Sequence, residues 1–158
     1  MNEALKKIVQ KVESLPEDIT WNGPATDSRI ESVETALSCK FPSTYREFLR
    51  LTGGGGLESL WISGIEADDV LSESFGSVYG DTILYREEWR LPPHLIIIQR
   101  DQDENEPFCL DTSNFEGDEC PVVLYYSNTG KAEKVSDNFA LFYSKYLEPY
   151  FEGAGIAS

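Results

Sequence analysis

Four consecutive glycines, Gly53, Gly54, Gly55 and Gly56, split this chain into two kinds of sequence. A helix cannot run through them, because each glycine costs about 1 kcal/mol relative to alanine in a helix interior. Before them, apolar residues recur at helical spacing. Leu5, Ile8, Val9 and Val12 predict a helix over 3–14, which breaks at Leu15-Pro16 and is followed by the turn-rich Trp21-Asn22-Gly23-Pro24. A second helix should begin near 26–28, where Ser28 and Glu31 have capping-box spacing, bury Ile30, Val33 and Leu37, and end by Cys39. Phe41-Pro42 should open a third, with Pro42 in the first turn, Tyr45, Phe48 and Leu49 facing inward, and Gly53 as its stop.

After the glycines the pattern is extended. Residues 57–62 alternate as one strand carrying Trp61; 68–90 are irregular, with a short helix over 81–89 closed by Pro92-Pro93. The β-branched run at 95–98 reads as a buried central strand, and 108–111, 122–126 and 131–135 as three more. Asn128-Thr129-Gly130 suits a hairpin loop between the last two. Ser136 or Asp137 can cap a final helix bearing Phe139, Phe142, Tyr143, Tyr146 and Leu147. The expected fold is α+β: one domain over 1–152, with a mostly antiparallel central sheet flanked by N-terminal helices and a C-terminal helix, and a tail at 153–158.

The net charge of −15 is concentrated. Residues 51–85 hold Glu58, Glu66, Asp68, Asp69, Glu73 and Asp81 without one Lys or Arg. Residues 101–119 hold Asp101, Asp103, Glu104, Glu106, Asp111, Glu116, Asp118 and Glu119, again with no base. Such stretches repel nucleic acid and anionic membrane and attract a basic protein. Acidity that only keeps a protein in solution is the plainer reading, but its confinement to two segments favours binding. The charged first residues contain no apolar run of signal-peptide type, and no stretch of ~18 apolar residues occurs. Cys39, Cys109 and Cys120 are odd in number and never spaced Cys-x-x-Cys, as expected of reduced thiols in a cytoplasmic protein.

Each candidate for catalysis or ligation lacks a part. The glycine run could cradle phosphate, but phosphate loops join a strand to a helix, and here the order is helix, glycines, strand, with no lysine. Asp101, Asp103 and Asn105 stand where a calcium loop has its first three ligands, yet the sixth position is Glu106 instead of glycine and the twelfth is Thr112 instead of glutamate. His94, the single histidine, has no nucleophile or carboxylate patterned around it. One histidine and scattered cysteines make no zinc site. Pairs such as Asp68-Asp69, or Asp101 with Asp103, are expected by chance in so acidic a chain. No catalytic residue, metal or cofactor is assigned.

An ordered set of segments carries a resemblance. It comprises Ile30-Glu31 and Val33-Glu34, Phe41-Pro42-Ser43-Thr44-Tyr45-Arg46-Glu47-Phe48-Leu49 and Thr52-Gly53-Gly54. Leu91-Pro92-Pro93, Leu95 to Ile98 with Arg100-Asp101, Phe108-Cys109-Leu110-Asp111, Pro121-Val122-Val123 and Ser136-Asp137-Asn138-Phe139 complete it. Over about 21–148 these resemble the SUKH superfamily, which includes a yeast cell-wall-synthesis regulator and many bacterial immunity proteins. Phe41-Pro42 replaces the usual Leu-Pro, and Thr52-Gly53-Gly54 the usual Asn-Gly-Gly with two further glycines. The resemblance implies a non-catalytic α+β protein, and for its bacterial members, neutralisation of a co-produced toxin, often a nuclease, by binding in the producing cell. It carries over no binding residues.

The resemblance and the charge map together give an expectation: an immunity protein in the cytoplasm gripping a basic cognate toxin, with oligomeric state left open. Asp68, Asp69, Glu73, Asp103, Glu104 and Glu106 are its expected contact set, with Trp61 and Tyr79 as aromatic anchors. For each carboxylate the plainer alternative is a solvated loop, and for Trp61 a place in the core. A regulatory scaffold binding other cellular proteins is the second function class, and an enzyme with an unusual carboxylate site the third.

Overall fold

The structure is a computed structural model, and it describes residues 3–100 and 105–155. Chain order is α1 (Glu3–Glu13), β1 (Thr20–Trp21), α2 (Asp27–Leu37), α3 (Ser43–Thr52), β2 (Gly55–Leu57), β3 (Leu60–Ile62) and α4 (Val78–Glu88). There follow β4 (Leu95–Gln99), β5 (Phe108–Asp111), β6 (Val122–Tyr126), β7 (Lys131–Ser136) and α5 (Phe139–Gly153). The α+β class is as the sequence implies. The strands form two antiparallel sheets, in the orders β1-β2-β3 and β4-β5-β6-β7, in place of one. A backbone bond from Ser63 N to the Ile98 carbonyl, 2.7 Å, stitches them together.

Several local expectations are corrected. Residues 57–62 are not one strand: β2 and β3 pair as a hairpin, Leu57 opposite Leu60, turning at Glu58-Ser59. β4 is buried but not central, since it ends its ladder and its free side meets Ser63. The α2 cap is Thr26, whose hydroxyl accepts from Arg29 N, and the α5 cap is Asn138, which accepts from Leu141 N. Pro42 is the residue preceding α3 and cannot cap it; Glu119 does so from the β5–β6 loop, taking Thr44 N and Thr44 Oγ1 at 2.8 Å each. α4 begins earlier than expected, behind Ser77.

The glycine run does what the sequence implies and more. Gly53 closes α3 in the left-handed region, its N–H bonded to the Leu49 carbonyl, while Gly54 N bonds to Thr52 Oγ1. These amides are engaged inside the protein, not turned to an anion. All four glycines have φ between +75° and +118°. Gly54 lies flush against the backbone of Gly64, so that a methyl group on either would overlap the other's main chain.

The core lies between the helices and the sheets. Tyr45 and Phe48 on α3 meet Phe139 and Tyr143 on α5, with ring centroids 5.1–5.2 Å apart for Tyr45–Phe139, Phe48–Phe139 and Phe48–Tyr143. α4 covers the other face of β4, burying Tyr85 beside Leu95, Ile97, Cys109 and Tyr125. All three cysteines are free thiols, and burial pushes Cys39 and Cys120 up to about 12, so both stay protonated at neutral pH.

Gly64→Ala should therefore cost about 3 kcal/mol through overlap with Gly53 and Gly54. Gly117→Ala, at φ +65° with open space around it, should cost about 1 kcal/mol. Urea unfolding of both variants checks the ranking, and equal costs would mean that the close approach at Gly64 relaxes without strain.

Candidate functional site

The acidic segment between β3 and α4 is a closed loop. Its neck is fixed where Gly64 N bonds to the Gly76 carbonyl and Val78 N to the Gly64 carbonyl, at 2.9 and 2.8 Å. Ile65 N reaches back to the Gly53 carbonyl at 2.8 Å. Serines hold its interior: Ser77 Oγ donates to the Ser72 carbonyl, Ser72 N to the Asp69 carbonyl and Ser74 N to Ser72 Oγ. The first turn of α4 presses on the loop at Gly80, where a methyl would come within 2.7 Å of Glu73 backbone atoms. A segment with little regular structure is thus held at its neck, its middle and its end.

Beneath the neck lies a buried charge. Asp81, 1% exposed, accepts from Ser63 Oγ at 2.7 Å, from Gly76 N at 3.2 Å and from Arg100 at 3.2 Å. Burial raises its carboxyl above the usual carboxylate value, against the opposing pull of Ser63, Arg100 and Gly76. The Arg100 side chain is itself 8% exposed, and its guanidinium lies under the Phe75 ring, 4.2 Å from the centroid. Arg100 directly follows β4 and lies against Phe75, so the residue that precedes the second acidic segment adjoins the first acidic loop.

The expected contact residues have different fates. Asp68, Asp69 and Glu73 are exposed on the loop. Trp61 is half-buried, its indole beneath the neck, where a methyl on Gly76 would come within 2.6 Å of Nε1. It supports the loop. Tyr79, on α4, is half-buried against the main core. Asp103 and Glu104 lie outside the described residues, as does the start of the candidate calcium loop. Glu106 is exposed near Tyr126, whose phenol is raised first by its hydrogen bond to Glu133 and also by burial and the charges of Glu133 and Glu106.

The second acidic stretch is not one surface. Ser127 N bonds to the Asn105 carbonyl at one end of the β4–β7 sheet, and Ser43 N to the Asp118 carbonyl at the other, with β5 between. Asp118 and Glu119 belong to the α3 terminus, and burial raises the Glu119 carboxyl despite the hydrogen bonds from Thr44. Phe75, which sequence reading passes over, is the most exposed of the large apolar side chains described. Its only signal was an aromatic inside a polar loop.

A concavity of about 1080 Å³ lies between α2, α3 and the β5–β6 loop. Three of its charged side chains are paired within the fold: Glu34 accepts from Phe41 N and Arg46, and Arg50 donates to Asp27 and Glu47. His94 is exposed, and its carbonyl accepts from Thr112 N and Oγ1. No group of three or more His, Cys, Asp or Glu side chains comes together to hold a metal among the described residues. No described helix is long and apolar enough to cross a membrane.

A family model described as SMI1-KNR4 cell-wall, SUKH_5, matches residues 1–148. The chain belongs to the SUKH superfamily. The match takes in both sheets and the greater part of α5, so the acidic loop and its buried pair sit within the SUKH domain itself. This superfamily includes toxin-immunity proteins.

Arg100→Met should destabilise the protein by about 3 kcal/mol at neutral pH, because it leaves Asp81 charged and buried without its cation. The folded-state value of Asp81 lies above 3.8, so the protonated form suits the fold better. Stability from this group is fully present below 3.8 and is lost as pH rises through the folded value. Removing Arg100 raises that value further, so the gap between variant and wild type should narrow towards pH ~4. Urea unfolding at several pH values tests this, and a gap that does not change with pH would mean that Asp81 is not the group left exposed to the loss.

Proposed function

We propose that this SUKH protein is an immunity protein: it binds a basic toxin, a nuclease, inside the cell that makes both, and holds it inactive by covering its surface. The observation that carries the reading is the loop over 65–76. It bears Glu66, Asp68, Asp69 and Glu73, has no Lys or Arg, and is tied down along its length. A nuclease needs a basic surface to hold phosphates. A fixed array of carboxylates meets such a surface without first having to be ordered, which removes part of the entropic cost of binding. Membership of a superfamily that includes toxin-immunity proteins supports the same reading.

Asp68, Asp69 and Glu73 are the proposed electrostatic contacts, and Asp103, Glu104 and Glu106 of the second acidic stretch are proposed as further ones. Trp61 acts from below, as a support for the loop, and Tyr79 from the helix behind it. The partner is a protein and not nucleic acid or an anionic membrane, since the loop repels both. An interface of ordinary size would cover about 800 Å² on each side. Protection of the producing cell calls for a Kd of about nanomolar or below.

Co-purification with the toxin domain encoded beside this gene tests the reading. A tight one-to-one complex is expected. Asp68→Asn/Asp69→Asn/Glu73→Gln should weaken it about 10-fold to 100-fold at low salt, chiefly by slowing association. Raising salt from about 50 mM to about 500 mM should erase most of the difference. Absence of a complex would end the immunity reading for that pair and favour a regulator of other cellular proteins.

A further inference from the structure

The loop that carries the carboxylates also carries two of the four most exposed large apolar side chains described, Phe75 at 66% and Leu71 at 44%. Phe75 is not loose. Its ring rests on the Arg100 guanidinium, which is itself buried and faces Asp81. The backbone on either side is fixed: Ser74 N bonds to Ser72 Oγ, Ser77 N to the Ser74 carbonyl, and Gly76 N to Asp81 Oδ1. A large apolar ring is thus propped outward from a rigid base, in the same loop as the exposed Asp68, Asp69 and Glu73. The inner face of the ring covers Arg100, and its outer face is left to solvent. Interfaces are built this way, with a pre-positioned aromatic at the centre and charges around it.

We propose that Phe75 is the apolar anchor of the docking surface, seating in an apolar pocket on a basic polypeptide whose Lys and Arg side chains face Asp68, Asp69 and Glu73. The inference rests on the binding reading above and names the residue at its centre. Charge selects the occupant. A second copy of this chain would set one acidic loop against another, and like charges across an interface oppose association. A basic partner has the complementary charge. The division of labour follows from the physics: carboxylates speed the encounter and depend on salt, whereas a buried ring slows dissociation and does not.

The test compares Phe75→Ala and Phe75→Trp with wild type in binding the toxin domain encoded beside this gene, at about 50 mM and about 500 mM salt. Phe75→Ala should weaken binding about 30-fold or more, through faster dissociation, and by the same factor at both salt concentrations. Phe75→Trp should bind within a few-fold of wild type, since it keeps a large aromatic there. Phe75→Trp should unfold in urea close to wild type, and Phe75→Ala at a somewhat lower urea midpoint, because it loses the ring over Arg100 but stays folded. If wild type binds and Phe75→Ala binds equally well, the anchor is wrong while the immunity reading stands. A loss that disappears at high salt also overturns it, since the ring would then act only through the charges. Self-association of wild type that Phe75→Ala abolishes would assign the ring to a second copy instead. No complex with wild type would overturn both readings together.

Discussion

Every polar atom of Ser63 joins a different part of this molecule. Its N–H donates to Ile98 and links the two sheets; its carbonyl accepts from Tyr45 Oη at 2.6 Å and holds α3; its hydroxyl donates to Asp81 and holds α4. The residue is 1% exposed, so each of these bonds forms away from competing water and none can be lost without leaving a buried group unpaired. The chain can reach this position only because Gly64, the next residue, passes flush against Gly53 and Gly54. The tetraglycine that ends the helical half thus also admits the strand that connects the two sheets.

The acidic loop inherits its rigidity from that junction. Asp81 ties Ser63 to Gly76, and so closes the loop at the same place where the sheets meet; Arg100 extends the link from β4 to the underside of Phe75. A buried ion pair is seldom the most stabilising way to fill such a space, because two charges must be taken out of water. What it supplies here is position. Apolar side chains of similar volume could fill the site but could not receive Ser63 and Gly76 in fixed directions. The loop depends on those directions more than on the energy of the pair.

The parts of this architecture that follow a repeating pattern were legible from the sequence. α1 and α3 show their buried stripes, Gly53 stops its helix, and β5, β6 and β7 fall within a residue of the ranges read from the sequence. What failed depended on contacts distant in sequence. Glu58-Ser59 turns the chain without an Asn-Gly or Asp-Gly signal, so two strands looked like one. Glu119 caps a helix 75 residues away, which no local spacing can reveal. Ser28 with Glu31 matched a capping box, yet Thr26, two residues earlier, holds the geometry. In the acidic loop, the exposure of Asp68, Asp69 and Glu73 follows from their charge, whereas the half-buried place of Trp61 and the exposure of Phe75 depended on which side of the loop each occupies. An aromatic residue in an irregular segment carries no periodicity to say so.

The carboxylates of this protein divide into two populations that composition alone merges. Glu34, Glu47, Asp81 and Glu119 are drawn into the fold, where arginines, backbone N–H groups and hydroxyls hold them. Asp68, Asp69, Glu73 and Glu106 stand in water. The first population contributes little to the field outside, because its charge is met within a few ångströms. The second sets that field, and at a net charge of −15 its members repel one another in the free protein. That repulsion works against the fold, and serines, backbone amides and the buried Asp81–Arg100 pair hold the loop against it. A basic surface brought against the loop would relieve the repulsion and gain direct attraction at once. On the proposed reading, the same charges that strain the isolated protein would favour its complex, and the serine-held loop keeps Asp68, Asp69 and Glu73 exposed to solvent.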